Sequence, residues 1–136
     1  MQKGRSRASA LESISKPVLL GFITIIVTGI ASPFLLSHVI HPSMIFHILL
    51  HMAGLTIAVF LSTVSLIAYL RNTTARMLLM AAGFVTLAIV ELLYLLQSGG
   101  IYVGQFTIPV ANIELSHMVL LIMVSLFGLG VLKVNK

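Results

Sequence analysis

Apolar positions along the chain fall into four long runs separated by short polar connections. The runs cover about 17–36, 45–70, 77–97 and 113–132. Each is about 20 residues or longer, the length that an α-helix needs to cross the ~30 Å hydrocarbon core of a bilayer. The pattern predicts an all-α fold, an integral membrane four-helix bundle, in which residues 1–16 form a basic tail and residues 17–136 form a single transmembrane domain.

The composition agrees with a lipid environment and excludes several classes of protein. Hydrophobic residues make up 59% of the chain, charged residues make up 8%, and the mean hydropathy is +1.14. A soluble domain needs a more highly charged surface. Cysteine is absent, so disulfides and thiolate sites are excluded. The connections are too short for a soluble substrate domain, and we predict no catalytic residues. The expected partners are the lipid bilayer and other integral membrane subunits.

Positive charge is placed unevenly, and its placement predicts the orientation. The Lys and Arg residues occur only in the tail, the second connection and the C-terminal end: Lys3, Arg5, Arg7, Lys16, Arg71, Arg76, Lys133 and Lys136. Because Lys and Arg accumulate in cytoplasmic segments, we expect a multi-pass protein of the cell membrane with both termini in the cytoplasm. This distribution explains the net charge of +5 without nucleic acid, for which the sequence has no basic binding stripe.

Small and hydroxylated residues line one face of the first two predicted helices. At helical spacing, the first helix has Gly21, Thr24, Thr28 and Ser32, and the second has His47, His51, Gly54, Ala58, Ser62, Ser65 and Tyr69. In lipid, small residues let helix backbones approach closely. Both stripes are therefore predicted to contact helices. A subunit of a larger complex should leave one stripe uncovered by its own chain, whereas a stand-alone protein should bury both.

Ionisable side chains gather near one end of the predicted bundle. At ~1.5 Å per residue, His51 and Glu91 lie roughly 10 Å and 9 Å inside the ends of their helices. A charged carboxylate within hydrocarbon costs about 2 to 3 kcal/mol, so Glu91 should be protonated, paired with His51 or bound to a metal. Glu114 and His117 are predicted to share the first turn of the fourth helix, with Asn112 as its N-cap. The remaining histidines at this end are His38, His41 and His47.

Imidazole and carboxylate groups from three helices are suitable ligands for Zn, Cu or non-haem Fe. Glu-x-x-His is also the spacing by which bundle helices present two ligands to one metal. The predicted metal ligands are His51, Glu91, His117, His47 and Glu114. Nearby thioethers, from Met44, Met52 and Met118, favour copper. Three alternatives remain: a metal-free His51–Glu91 hydrogen bond, a haem held by His47 and His117, and Glu114 acting only on the helix dipole.

The segment from Met52 to Leu96 resembles a group of small archaeal four-helix membrane proteins of uncharacterised function. The resemblance is carried by His51-Met-Ala-Gly-Leu55, by Arg71 and Arg76-Met-Leu-Leu-Met-Ala-Ala-Gly-Phe84, and by Glu91. It implies an accessory subunit of a membrane oxidoreductase, such as an ammonia monooxygenase or a terminal oxidase, in which His51 and Glu91 matter. We therefore expect a non-catalytic subunit of a respiratory or copper-dependent complex. The alternative is a stand-alone metal- or haem-binding protein for electron transfer or metal handling.

Overall fold

The described residues form four long helices and one very short strand pair. The computed structural model describes residues 15–35, 42–100, 107–108 and 113–132. Its helices are α1 (Lys16–Leu35), α2 (Pro42–Asn72), α3 (Ala75–Ser98) and α4 (Leu115–Leu132). All four are long and apolar enough to cross a membrane. The four predicted helices are confirmed, with ends within about three residues of those predicted. The basic tail, His38, His41 and Asn112 lie outside the described residues.

The turn between α2 and α3 is tighter than predicted. Arg71 still belongs to α2 and Arg76 already belongs to α3, so only Thr73 and Thr74 connect the two helices. Thr73 has a φ of 40°, in the left-handed region that reverses the chain sharply. The Thr74 hydroxyl accepts a hydrogen bond from the Met77 amide and caps α3. The close turn makes α2 and α3 antiparallel neighbours along their length.

The connection before α4 contains a short antiparallel strand pair. Strand β1 (Thr107–Ile108) pairs with β2 (Ile113–Glu114), and Thr107 lies opposite Glu114. Glu114 was predicted in the first turn of the fourth helix, and this prediction was wrong. The hairpin keeps its backbone extended, and α4 begins one residue later, at Leu115. The helical Glu-x-x-His relation with His117 therefore does not apply.

The helices pack mainly in chain order. The contact between α2 and α3 is the most extensive, α3 and α4 form the next, and α1 rests on α2 with a smaller contact. Helix α1 buries residues four apart: Ile23, Val27, Ala31 and Leu35. A cavity of about 210 Å³ remains between α1, α2 and α3, lined by apolar side chains that include Ala31, Leu55 and Leu92. Helix α1 is thus the most loosely attached of the four.

The outward faces of all four helices are apolar. Large side chains such as Ile25 (72% exposed) and Phe46 (76% exposed) point away from the rest of the protein. On α4 the same is true of Leu121, Val124 and Leu132. A continuous apolar surface of this kind would cause aggregation in water, but it is compatible with lipid. It is typical of a multi-pass membrane protein.

Candidate functional site

A polar pair joins α2 to α3 within otherwise apolar surroundings. The Nδ1 atom of His51 lies 2.8 Å from Oε2 of Glu91, and their side chains are only 14% and 22% exposed. The predicted proximity of His51 and Glu91 is confirmed. The proximity follows from the similar depth of the two residues. In antiparallel neighbouring helices, residues at equal distances from the same end of the bundle lie side by side.

Gly54 provides the space that the Glu91 carboxyl group occupies. A Cβ atom on Gly54 would lie 2.7 Å from the Glu91 Cδ and 2.9 Å from each carboxyl oxygen. One turn further along α2, Ala58 is completely buried. The prediction that this stripe faces a helix is confirmed at Gly54, and that helix is α3. The glycine therefore does more than bring two backbones together, since any side chain here would collide with the acid that binds His51.

Tyr94 was missing from the predicted site. Its ring stacks on the His51 ring, with centroids 5.2 Å apart and planes inclined by 29°. Tyr94 follows Glu91 by three residues and therefore lies on the same face of α3. That spacing was visible in the sequence and could have identified it. Between the Glu91 hydrogen bond and the Tyr94 ring, the His51 imidazole has one fixed orientation.

His47 is the second imidazole of the site and is held less firmly. It lies one helical turn from His51, towards the start of α2, and the two rings meet edge to face with centroids 4.6 Å apart. In contrast to His51, the His47 side chain is exposed. The site therefore combines one fixed imidazole with one that has room to rotate.

The other predicted ligands do not complete a metal centre within the described part of the chain. His117 has an exposed side chain near the start of α4. Among the described residues, no group of three or more His, Asp or Glu side chains is placed to hold a metal. The structure does not describe the Glu114 side chain or the loop histidines. The five-ligand site of His51, Glu91, His117, His47 and Glu114 therefore stays a prediction.

The pair forms one hydrogen bond, between one nitrogen of His51 and one oxygen of Glu91. Either the Nδ1–H of His51 donates to the carboxylate, or a protonated Glu91 donates to Nδ1. Across the described residues, no buried side-chain nitrogen or oxygen lacks a hydrogen-bond partner. The hydroxyl groups of Thr56, Ser62 and Thr63 donate to carbonyl oxygens four residues earlier in α2. These three hydroxyls can thus lie in an apolar environment without being unpaired.

The chemistry available here is that of an oriented histidine. When the carboxylate accepts from Nδ1, the hydrogen is fixed on that nitrogen and the lone pair is on Nε2, directed away from Glu91. This carboxylate–histidine arrangement commonly supports metal-binding histidines. No protein-family model matches the sequence, and no curated protein or solved structure is significantly similar to it.

Proposed function

We propose that this chain is a multi-pass membrane protein with both termini in the cytoplasm, and that it serves as a non-catalytic accessory subunit of a larger membrane complex. Membrane insertion is supported by four apolar helices with apolar outer faces. The orientation is supported by the arginines beside the α2–α3 turn and by the basic residues at both chain ends.

The small-residue stripe of α1 is the observation that carries the subunit proposal. A Cβ atom added to Gly21 would meet nothing within 4 Å, and Thr24 and Thr28 are exposed. The hydroxyl of Thr24 donates to the Leu20 carbonyl oxygen of its own helix. Gly21, Thr24 and Thr28 therefore form a surface of small residues without a covering helix from the described chain. In lipid, such surfaces are where helices of separate chains approach closely.

A stand-alone protein for electron transfer or metal handling would be expected to cover both stripes. On α2, Gly54 is covered by the Glu91 side chain of α3 and Ala58 is fully buried, whereas no described helix covers Gly21, Thr24 and Thr28 on α1. This difference favours the subunit over the stand-alone alternative. The class of complex, a respiratory or copper-dependent oxidoreductase, rests on the resemblance of the segment from Met52 to Leu96 alone.

Cysteine labelling tests the orientation. Single cysteines at Ser37 and Gly104 should react with an impermeant thiol reagent added to intact cells, and a cysteine at Asn72 should react only after the membrane is opened. The native chain contains no cysteine, so any labelling comes from the introduced residue. Labelling of position 72 in intact cells would contradict the orientation.

Purification tests the subunit proposal. The tagged full chain, isolated in mild detergent from its own membranes, should carry other integral membrane proteins in fixed ratio, identified by mass spectrometry. The double change Gly21→Leu and Thr28→Leu should reduce their recovery at least tenfold, because the new side chains hold a partner helix away. Ile26→Leu, on another exposed part of α1, is the matched control. Isolation of the chain alone, or full recovery of partners with the double variant, would contradict the proposal.

A further inference from the structure

We infer that His47 and His51 form a two-histidine binding site for a divalent transition-metal ion of the Zn²⁺ and Cu²⁺ class, in which Glu91 orients His51 and is not itself a ligand. This differs from the five-ligand site expected from the sequence. It assigns the carboxylate a different role and confines the protein ligands to one helix.

The role of Glu91 follows from the atom that it contacts. Its Oε2 lies 2.8 Å from Nδ1 of His51, a hydrogen-bond distance. With Nδ1 occupied in this way, the ring nitrogen left for a metal is Nε2. Metal-binding histidines generally donate their second N–H to a carboxylate or carbonyl group, which fixes the tautomer and the ring direction. Stacking on Tyr94 restrains the same ring further. When Glu91 is ionised and accepts from Nδ1–H, His51 is already in the form that a metal ligand requires.

His47 supplies the second nitrogen. His-x-x-x-His on a helix is the spacing with which zinc-binding helices present two imidazoles to one ion. Two nitrogens on one Zn²⁺, each at about 2.0 to 2.1 Å, must come close together. The two rings are already neighbours, with centroids 4.6 Å apart. The exposed His47 ring can turn its edge towards the same ion while His51 stays in place.

The position of the pair along α2 provides a route for an ion from water. Helix α2 has 31 residues and is therefore about 46 Å long, which exceeds the ~30 Å hydrocarbon core. His47 lies about 8 Å from the start of the helix and His51 about 14 Å. In a centred helix, His47 is at the membrane surface and His51 just below it. This placement rests on the proposed membrane insertion, whereas the two-histidine geometry does not.

The imidazole nitrogens of His47 and His51 determine which class of metal ion the site can bind. Divalent ions of the Zn²⁺ and Cu²⁺ class bind imidazole well, and Cu²⁺ binds most tightly among the first-row divalent ions. Two protein ligands leave the remaining coordination positions to water or to a donor from another molecule. Structural zinc sites are closed by four protein ligands. This site has two, so the bound ion can exchange with ions in solution.

Cu²⁺ titration of the metal-free full chain in detergent tests the inference. We expect one Cu²⁺ per chain and an electron paramagnetic resonance spectrum with coupling to two imidazole nitrogens. His47→Ala removes an exposed side chain, so the fold should persist by circular dichroism while affinity falls at least tenfold. Glu91→Gln should keep the two-nitrogen spectrum and weaken binding by about 10-fold to 100-fold, the usual effect of losing an orienting partner. Zn²⁺ should compete for the same site.

The matched control is Leu50→Ala, which removes an exposed side chain from the same part of α2 and should leave the affinity unchanged. His117→Ala separates the two-histidine site from the five-ligand site, because only the five-ligand site needs that side chain. Three results would overturn the inference: absence of stoichiometric binding, binding that survives His47→Ala, or binding that is lost with His117→Ala. Because the assay uses the isolated chain, none of these results depends on whether partner subunits exist. A failed metal site is therefore distinguishable from a failed subunit proposal.

Discussion

The small-residue stripes of α2 and α1 are built from similar residues and differ greatly in packing. On α2, Gly54 lies against the Glu91 carboxyl group of α3 so closely that a Cβ atom would be 2.7 Å from its Cδ. On α1, Gly21 and Gly29 have nothing within 4 Å of such an atom. At Gly54 the α2 stripe is closed by α3 and lies beside a hydrogen bond between the two helices. The glycines of α1 are open, and α1 packs through another face, beside a cavity of about 210 Å³.

The difference shows that a small-residue stripe predicts a close approach but does not identify the helix that makes it. On α2, the partner is the next helix of the same chain. On α1, the described chain supplies none for the stripe and uses a neighbouring face, around Val27 and Ala31, for its own packing. Substitutions of the same kind should therefore have opposite effects in the two regions.

Leucine substitutions at the glycines should give the largest contrast. Gly54→Leu must displace the Glu91 carboxyl group and break its bond to His51. Overpacking costs about 1 to 3 kcal/mol and a lost charged hydrogen bond about 1.5 to 3 kcal/mol, so we expect a loss of roughly 3 kcal/mol. Gly21→Leu should be neutral or slightly stabilising in the isolated chain, since leucine favours helix more than glycine does. Equilibrium unfolding in detergent measures both, and equal effects would contradict the comparison.

The next largest effect should come from the His51–Glu91 hydrogen bond, which a double-mutant cycle can measure. His51→Ala and Glu91→Ala should each destabilise the protein, and their coupling free energy should be about 1 to 3 kcal/mol because the side chains are in direct contact. Glu91→Gln should cost less than Glu91→Ala in metal-free protein, because the amide still hydrogen-bonds to the ring. Additive effects of the two alanine changes would mean that the pair contributes nothing to stability.

The α3–α4 contact offers a second matched pair of glycines. A Cβ atom on Gly83 would lie 2.6 Å from the Phe127 ring, whereas one on Gly128 would meet nothing within 4 Å. Gly83→Ala should therefore cost about 1 to 3 kcal/mol through overpacking. Gly128→Ala should stabilise by up to about 1 kcal/mol through helix propensity. Thermal unfolding followed by circular dichroism tests the pair, and a stabilising Gly83→Ala would show that Phe127 moves aside freely.

Valine substitutions at two alanines should give the smallest contrast. Ala58 on α2 is fully buried, so Ala58→Val should cost about 1 kcal/mol or more. Ala31 borders the cavity, and Ala31→Val should be neutral or stabilise by about 0.5 kcal/mol by filling space. The comparison uses the same change in two helices, so the effect of β-branching cancels. A destabilising Ala31→Val would mean that the cavity closes in solution.

The sequence by itself predicted the four long helices and their approximate ends, and it placed His51 and Glu91 at the same depth, with a hydrogen-bonded pair as one of the possible arrangements. Apolar runs of membrane length leave few alternatives to helices, because backbone groups in lipid must bond within their own segment. A tight turn after Asn72 makes the next helix an antiparallel neighbour. Two polar residues at matching depth then have each other as the nearest partner. These conclusions need only length, polarity and position along the helix axis.

The tertiary structure decided how each helix is rotated about its own axis. Helix α1 is apolar around its circumference, so polarity does not distinguish the face that packs from the face that points outward. Shape complementarity with α2 decides this, and it selects Val27 and Ala31 over the glycine and threonine stripe. The seating of Glu91 against Gly54 and the stacking of Tyr94 on His51 depend on the same rotation. Pairing in the hairpin likewise places Glu114 in a strand, since contacts between segments outweigh a local helical preference at a helix end.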